Sequence, residues 1–101
     1  MKAILEIWMT KDFDCLHCFV KGRVQGVGFR NWVLKQSTKY KFNGWVKNCD
    51  NGEVEIKVTG NINKLRVFLV ALQKGPLLAK VEGINYDISK SSLLNSFRVL
   101  R

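Results

Sequence analysis

The sequence predicts an α+β domain of split βαβ type, in which two helices cover one face of an antiparallel sheet of four to five strands. Three observations predict it. Phe29, Trp32, Val33, Gln36 and Tyr40 recur at helical spacing, and so, further along, do Ile62, Leu65, Phe68, Leu69 and Leu72. Between the two, Glu53 to Val58 alternates strictly, with Val54, Ile56 and Val58 on the side that a core would claim. The third observation is punctuation: Asn51-Gly52 reads as a hairpin, and Gly75-Pro76 as a helix stop.

In chain order, Leu16 to Lys21 reads as a first strand and Phe29 to about Lys39 as the first helix, with Lys35 and Lys39 on its wet side. Trp32 and Tyr40 are read as core. Phe42 to Asn48 is the second strand and Glu53 to Val58 the third. Gly60 breaks that strand, and Asn61 or Asn63 supplies an N-cap for the second helix. A fourth strand starts at Ala79-Lys80-Val81, and its apolar phase shifts from Val81 to Ile84, Tyr86 and Ile88; Gly83 stands where a bulge would correct it. Phe97 to Leu100 is read as a last, edge strand. Residues 1–15 are read as an N-terminal extension, either disordered or an added element, and residues 16–101 as one compact domain that buries about two-thirds of its unfolded surface.

Between the first strand and the first helix lies Gly22-Arg23-Val24-Gln25-Gly26-Val27-Gly28-Phe29-Arg30. Its three glycines permit positive φ and let consecutive backbone N–H groups converge on one point. A following helix N-terminus adds partial positive charge, and Arg30 adds a planar fork able to hold two oxygens of one anion. The loop is not a nucleotide motif. Gly28, Phe29 and Arg30 stand where a P-loop needs Lys and a hydroxyl, and the third glycine of a dinucleotide fingerprint is missing.

Charge agrees with an anion. The chain carries 17 Lys and Arg against 8 Asp and Glu, a net +9, and no acid occurs from Cys15 through Cys49. Such a field steers small anions inward at a rate that falls with salt. The same charge permits nucleic acid, but a sheet that binds RNA stacks bases on strand aromatics, whereas the outer face of the Glu53 to Val58 strand offers Glu, Glu and Lys. No apolar run reaches membrane-spanning length, and Glu6 interrupts the short apolar opening, so no export signal is read. Three cysteines, an odd number, then point to reduced thiols and a cytoplasmic protein. Cys15-Leu16-His17-Cys18 raises a metal site, yet residues three apart on a strand face opposite ways and cannot chelate one ion.

Gly22 to Arg30, then Gly44-Trp45-Val46-Lys47-Asn48, Asn51-Gly52-Glu53-Val54-Glu55 and Gly75-Pro76, in this order and spacing, resemble the acylphosphatase family from Leu16 to Leu100. The resemblance implies a ferredoxin-like sandwich that hydrolyses the carboxyl–phosphate bond of small acyl phosphates without metal or cofactor. It sets Arg30 on the family's phosphate-binding arginine, Asn48 on the asparagine that orients the attacking water, and Val24, Gln25, Gly26, Val27, Gly28 and Phe29 on the phosphate-cradling loop. It also implies a monomer with inorganic phosphate as product and inhibitor, and neither a membrane nor a nucleic acid as partner. Lys41 departs from the pattern, standing where the family usually has glycine, so it must accept a glycine-like turn or reshape the corner. Chemistry agrees with the implied reaction. The motif offers no Asp, Glu or Ser–His pair to activate water, which suits a mixed anhydride with its good carboxylate leaving group better than an inert phosphate monoester. Two rivals stand beside it: an RNA-binding module, and a domain that binds acyl phosphate without turnover.

Overall fold

The computed structural model describes residues 13–91 and 96–100. Its elements are β1 (Phe13–Arg23), α1 (Phe29–Tyr40), β2 (Asn43–Asn48), β3 (Val54–Gly60), α2 (Ile62–Leu72), β4 (Lys80–Ser91) and β5 (Phe97–Val99). They form one five-stranded sheet in the order β4-β1-β3-β2-β5. The pairings among the first four strands are antiparallel, as expected from the split βαβ order. The last strand runs parallel to β2, so the sheet is mixed. β1 begins at Phe13, so the last residues of the stretch read as an extension belong to a strand; residues 1–12 lie outside the described residues.

One face of the sheet makes the core. Leu16, Cys18 and Val20 of β1, Val46 of β2, and Val54, Ile56 and Val58 of β3 meet Phe29 and Val33 of α1 and Leu65, Phe68 and Leu72 of α2 in one buried cluster. A single shared cluster puts both helices on the same face. Trp32 joins them by stacking on Phe68 with ring centroids 6.3 Å apart, and Tyr40 stacks on Phe42 at 5.5 Å. Both aromatics therefore pack where the helical spacing predicts.

Local rules account for the ends of elements. Asn61 caps α2, its Oδ1 accepting from the Asn63 amide at 2.9 Å and the Lys64 amide at 3.3 Å. In the β2–β3 connection, the Gly52 amide donates to the Cys49 carbonyl at 3.2 Å, and the Cys49 amide to the Glu53 carbonyl at 2.8 Å. Gly52 at φ 93° closes this three-residue loop, so the Asn-Gly signal makes a turn with a left-handed closing residue rather than a two-residue hairpin. The bulge expected at Gly83 lies beside it. Lys21 pairs with Gly83 and Gly22 with Val81, leaving Glu82 as the extra residue. The glycine that this bulge requires is Gly22, at φ 127°, where a Cβ would run into the Lys80 carbonyl oxygen and lie 2.8 Å from the Glu82 amide nitrogen.

Lys41 does accept the glycine-like turn. It sits at φ 59° and ψ 41°, with its amide on the Ser37 and Thr38 carbonyls, while the Phe42 amide donates to the Ser37 carbonyl at 2.8 Å. This left-handed helix end costs a residue with a Cβ about 1 kcal/mol relative to glycine. Lys41→Gly should therefore stabilise the fold by about 1 kcal/mol and raise Tm by about 4–8 °C in thermal unfolding. An unchanged or lower Tm would show that the Lys41 side chain offsets its backbone strain.

The outer face of the sheet takes no part in the helix packing. Cys15 and His17 belong to it by register alternation from Leu16 and Cys18, so the two cysteines of the Cys-x-x-Cys lie on opposite sides as the strand reading requires. His17 Nε2 lies 2.7 Å from Glu55 Oε2, and Lys47 Nζ lies 3.7 Å from Glu55 Oε1. Burial, with a smaller contribution from the Glu55 charge, pushes the Cys18 thiol up to about 12, so it stays protonated and behaves as a small apolar side chain. No helix among the described residues is long and apolar enough to cross a membrane.

Candidate active site

The glycine loop leaves the end of β1 and turns into α1 through two left-handed residues, Gly26 at φ 74° and Gly28 at φ 78°. Apart from its chain neighbours, a Cβ at either would meet no atom of the described residues within 4 Å. These glycines are thus required by backbone conformation, and they front open space rather than a crowded wall. Gly28 is the N-cap of α1 and provides no side-chain acceptor, and the first turn holds no acidic residue. The helix proper starts with the Trp32 amide on the Gly28 carbonyl at 3.0 Å. The first-turn amides thus receive no acceptor from the capping side chain, in contrast to α2, where Asn61 accepts from the Asn63 and Lys64 amides. Val24 and Phe29, each 1% exposed, are sunk in the core and pin the two ends of the loop.

A cleft of about 300 Å³ opens over this turn, lined by Val24, Gly26, Gly28, Phe29, Arg30, Asn31, Asn48 and Val99. Six of the eight residues singled out in the sequence meet there: Arg30, Asn48, Val24, Gly26, Gly28 and Phe29. Gln25 and Val27 do not line it. Val27 packs, half-buried, against the core. The Gln25 side chain turns away to the β2–β3 connection, where Nε2 donates to the Cys49 carbonyl at 2.8 Å and the Glu53 carbonyl at 2.9 Å.

Asn48 reaches the cleft because it ends β2 opposite Val54 and shares the inward face with Val46. Its Oδ1 is buried and finds no hydrogen-bond partner among the described residues. Such an atom costs about 1–3 kcal/mol unless a ligand or water satisfies it; the other such atom among the described residues, Ser37 Oγ, lies outside the cleft lining. Arg30, in the first turn of α1, donates from Nη1 to the Leu100 carbonyl at 2.8 Å, which holds one edge of its guanidinium.

Two contributors from the chain end had no signal in the sequence. Val99 lines the cleft, and Leu100 anchors both Arg30 and, through its amide, the Val46 carbonyl at 2.7 Å. A backbone carbonyl can come from any residue type, so only the pairing of β5 with β2 reveals it. Among the described residues, the polar groups of the lining are the Arg30 guanidinium, the Asn31 and Asn48 amides and the backbone, with no carboxylate, histidine, thiol or hydroxyl. It can hold an anion by N–H donors and place a neutral nucleophile, but it has no strong base with which to ionise one.

The chain matches the acylphosphatase family model over residues 16–99. It is 48% identical to an acylphosphatase of Geobacillus kaustophilus over 72 residues, which cover 71% of this chain and 77% of that one. Its fold superposes on the crystal structure of acylphosphatase from Bacillus subtilis with a TM-score of 0.83 at 39% identity, covering 87% of this chain and 99% of that one. A structure of an acylphosphatase from Coxiella burnetii gives 0.79 at 34% identity, covering 89% and 95%. With the match spanning both helices and the whole sheet from Leu16 to Val99, the chain belongs to the acylphosphatase family.

Proposed function

We propose that this cleft hydrolyses small acyl phosphates by an in-line attack of water on phosphorus, with no metal ion. Family membership supports acyl phosphate hydrolysis; the assignment of steps to residues is our reading. The observation that carries it is the buried, unpartnered Oδ1 of Asn48 in one cleft with an uncapped helix N-terminus and Arg30. Loop amides from Val24 to Phe29 and the free edge of the Arg30 guanidinium hold the phosphoryl oxygens. They stabilise the charge that builds there as the bond breaks. Asn48 Oδ1 accepts a hydrogen bond from water and aims its lone pair at phosphorus. The P–O bond to the acyl group then breaks, its electron pair leaves with the carboxylate, and the water's proton passes to a phosphoryl oxygen. Inorganic phosphate is the second product. A positioned water suffices because the carboxylate leaves readily, which is why a cleft whose described residues supply no side-chain base is competent.

We read the enzyme as a cytoplasmic monomer; its three free cysteines, two of them buried on opposite sides of the sheet, support the reducing compartment. The test is hydrolysis of a small aromatic acyl phosphate such as benzoyl phosphate, with and without EDTA. The expected result is turnover well above buffer, indifferent to the chelator and competitively inhibited by inorganic phosphate. A rate equal to buffer would overturn the catalytic reading, and loss of activity in EDTA would overturn metal independence.

A further inference from the structure

We infer that Gln25 is a positioning residue for this reaction, acting through its side chain to hold Asn48 at a fixed distance from the phosphate loop. The inference rests on the reading of Asn48 as the group that orients water. The loop and Asn48 come from different elements, β1–α1 and the end of β2, and catalysis requires the two to keep register to within a fraction of an ångström. Among the described residues, the side-chain hydrogen bonds that join loop to turn are the two from Gln25 Nε2, to Cys49 O at 2.8 Å and Glu53 O at 2.9 Å. Both acceptors are carbonyls, so chemistry fixes the amide orientation: only the NH₂ end can serve, and both its protons are used. Cys49 directly follows Asn48, and Glu53 directly precedes its partner Val54. The Cys49 amide also donates to the Glu53 carbonyl, so Gln25 closes the rung next to Asn48 and ties it to the loop three residues before the N-cap Gly28. Gln25 is half-buried, and its side chain does not line the cleft, so the effect of that side chain passes through Asn48, while its backbone amide stays in the loop whatever the side chain.

The test compares the natural chain with Gln25→Met, which keeps length and bulk but has no donor, and Gln25→Glu, which sets acceptors against both carbonyls. The measurements are kcat and KM for benzoyl phosphate, the inhibition constant of inorganic phosphate, and Tm, with kinetics taken well below Tm. Gln25→Met should lower kcat about tenfold or more while phosphate inhibition stays within about twofold, because the cradle survives and the water's aim does not. Gln25→Glu should lower kcat further. Asn48→Ala measured alongside separates the two readings: if it retains full kcat, the water-orienting role fails and Gln25 with it. If Asn48→Ala is slow but Gln25→Met keeps its full kcat, only the positioning role is overturned. A loss of phosphate affinity equal to the loss of kcat would also overturn it, assigning Gln25 to the cradle. In an Asn48→Ala background that still turns over faster than buffer, Gln25→Met should cost nothing more; a full additional loss would show that it acts independently.

Discussion

Arg30→Ala should lower kcat/KM for a small acyl phosphate by about 100- to 10,000-fold. Inhibition by inorganic phosphate should weaken alongside it. The magnitude follows from two charge-assisted hydrogen bonds to phosphoryl oxygens at about 1.5–3 kcal/mol each, with about 1.4 kcal/mol to a factor of ten. The loss is not one of folding. The Arg30 side chain is half-exposed on the first turn of α1, and its described hydrogen bond is to the Leu100 carbonyl. Losing that bond should change stability by about 1 kcal/mol or less. Arg30→Lys sharpens the point. It keeps the charge and so keeps the steering of anions, but a single ammonium cannot grip the Leu100 carbonyl and two phosphoryl oxygens in one plane. We expect it to recover no more than about a tenfold fraction of the lost kcat/KM. Recovery to near the natural rate would mean that positive charge alone is needed at this position, and the forked contact would then be abandoned.

What the sequence made legible follows from how local its signals are. The apolar faces of α1 and α2 and the alternation of β3 repeat within one element, so they could be read and they hold in the structure. The Asn61 cap depends on a few neighbouring residues and could be anticipated, whereas the corner at Lys41 is raised only by the family resemblance, which leaves open whether Lys41 accepts the left-handed turn or reshapes it. The glycine loop was legible because it combines backbone freedom with an adjacent helix start, both local properties. What escaped depends on distant partners. The direction of β5 is set by where the chain returns, beside β2 at the sheet's far edge, and nothing within Phe97 to Val99 encodes it. The anchoring of Arg30 spans 70 positions and ends on a backbone carbonyl, which has no residue signature. The sequence places Gln25 only on the phosphate-cradling loop, whereas its side-chain amide is turned onto carbonyls 24 and 28 positions away. The bulge shows the same limit in miniature. A phase shift in β4 correctly announced it near Gly83, but the crowding that demands glycine lies across the ladder at Gly22.

Asn48→Ala should separate activity from stability. Removing one positioned polar group from a site of this kind costs about 100- to 1,000-fold in kcat, or about 2.7–4 kcal/mol. Phosphate inhibition should stay within about twofold, because Arg30 and the loop amides remain in the cleft and the proposed mechanism gives Asn48 the water rather than the anion. Stability should hold or rise by about 1 kcal/mol, since the substitution deletes a buried carbonyl oxygen that has no partner among the described residues. A stabilised, slow enzyme that still binds phosphate is what a residue kept for function at a structural cost would produce. Asn48→Asp tests the polarity of the same contact. Its carboxylate would face the phosphoryl group, so both turnover and phosphate inhibition should fall at neutral pH. Phosphate inhibition should return as the carboxyl protonates toward about pH 4, where the charge is lost and an acceptor oxygen remains. Destabilisation of Asn48→Ala by several kcal/mol would instead make Asn48 a structural strand end. A loss of phosphate affinity matching the loss of kcat would move it from the water to the anion, and the water would then need another holder among the cleft's remaining amide and backbone groups, with Asn31 the first to examine.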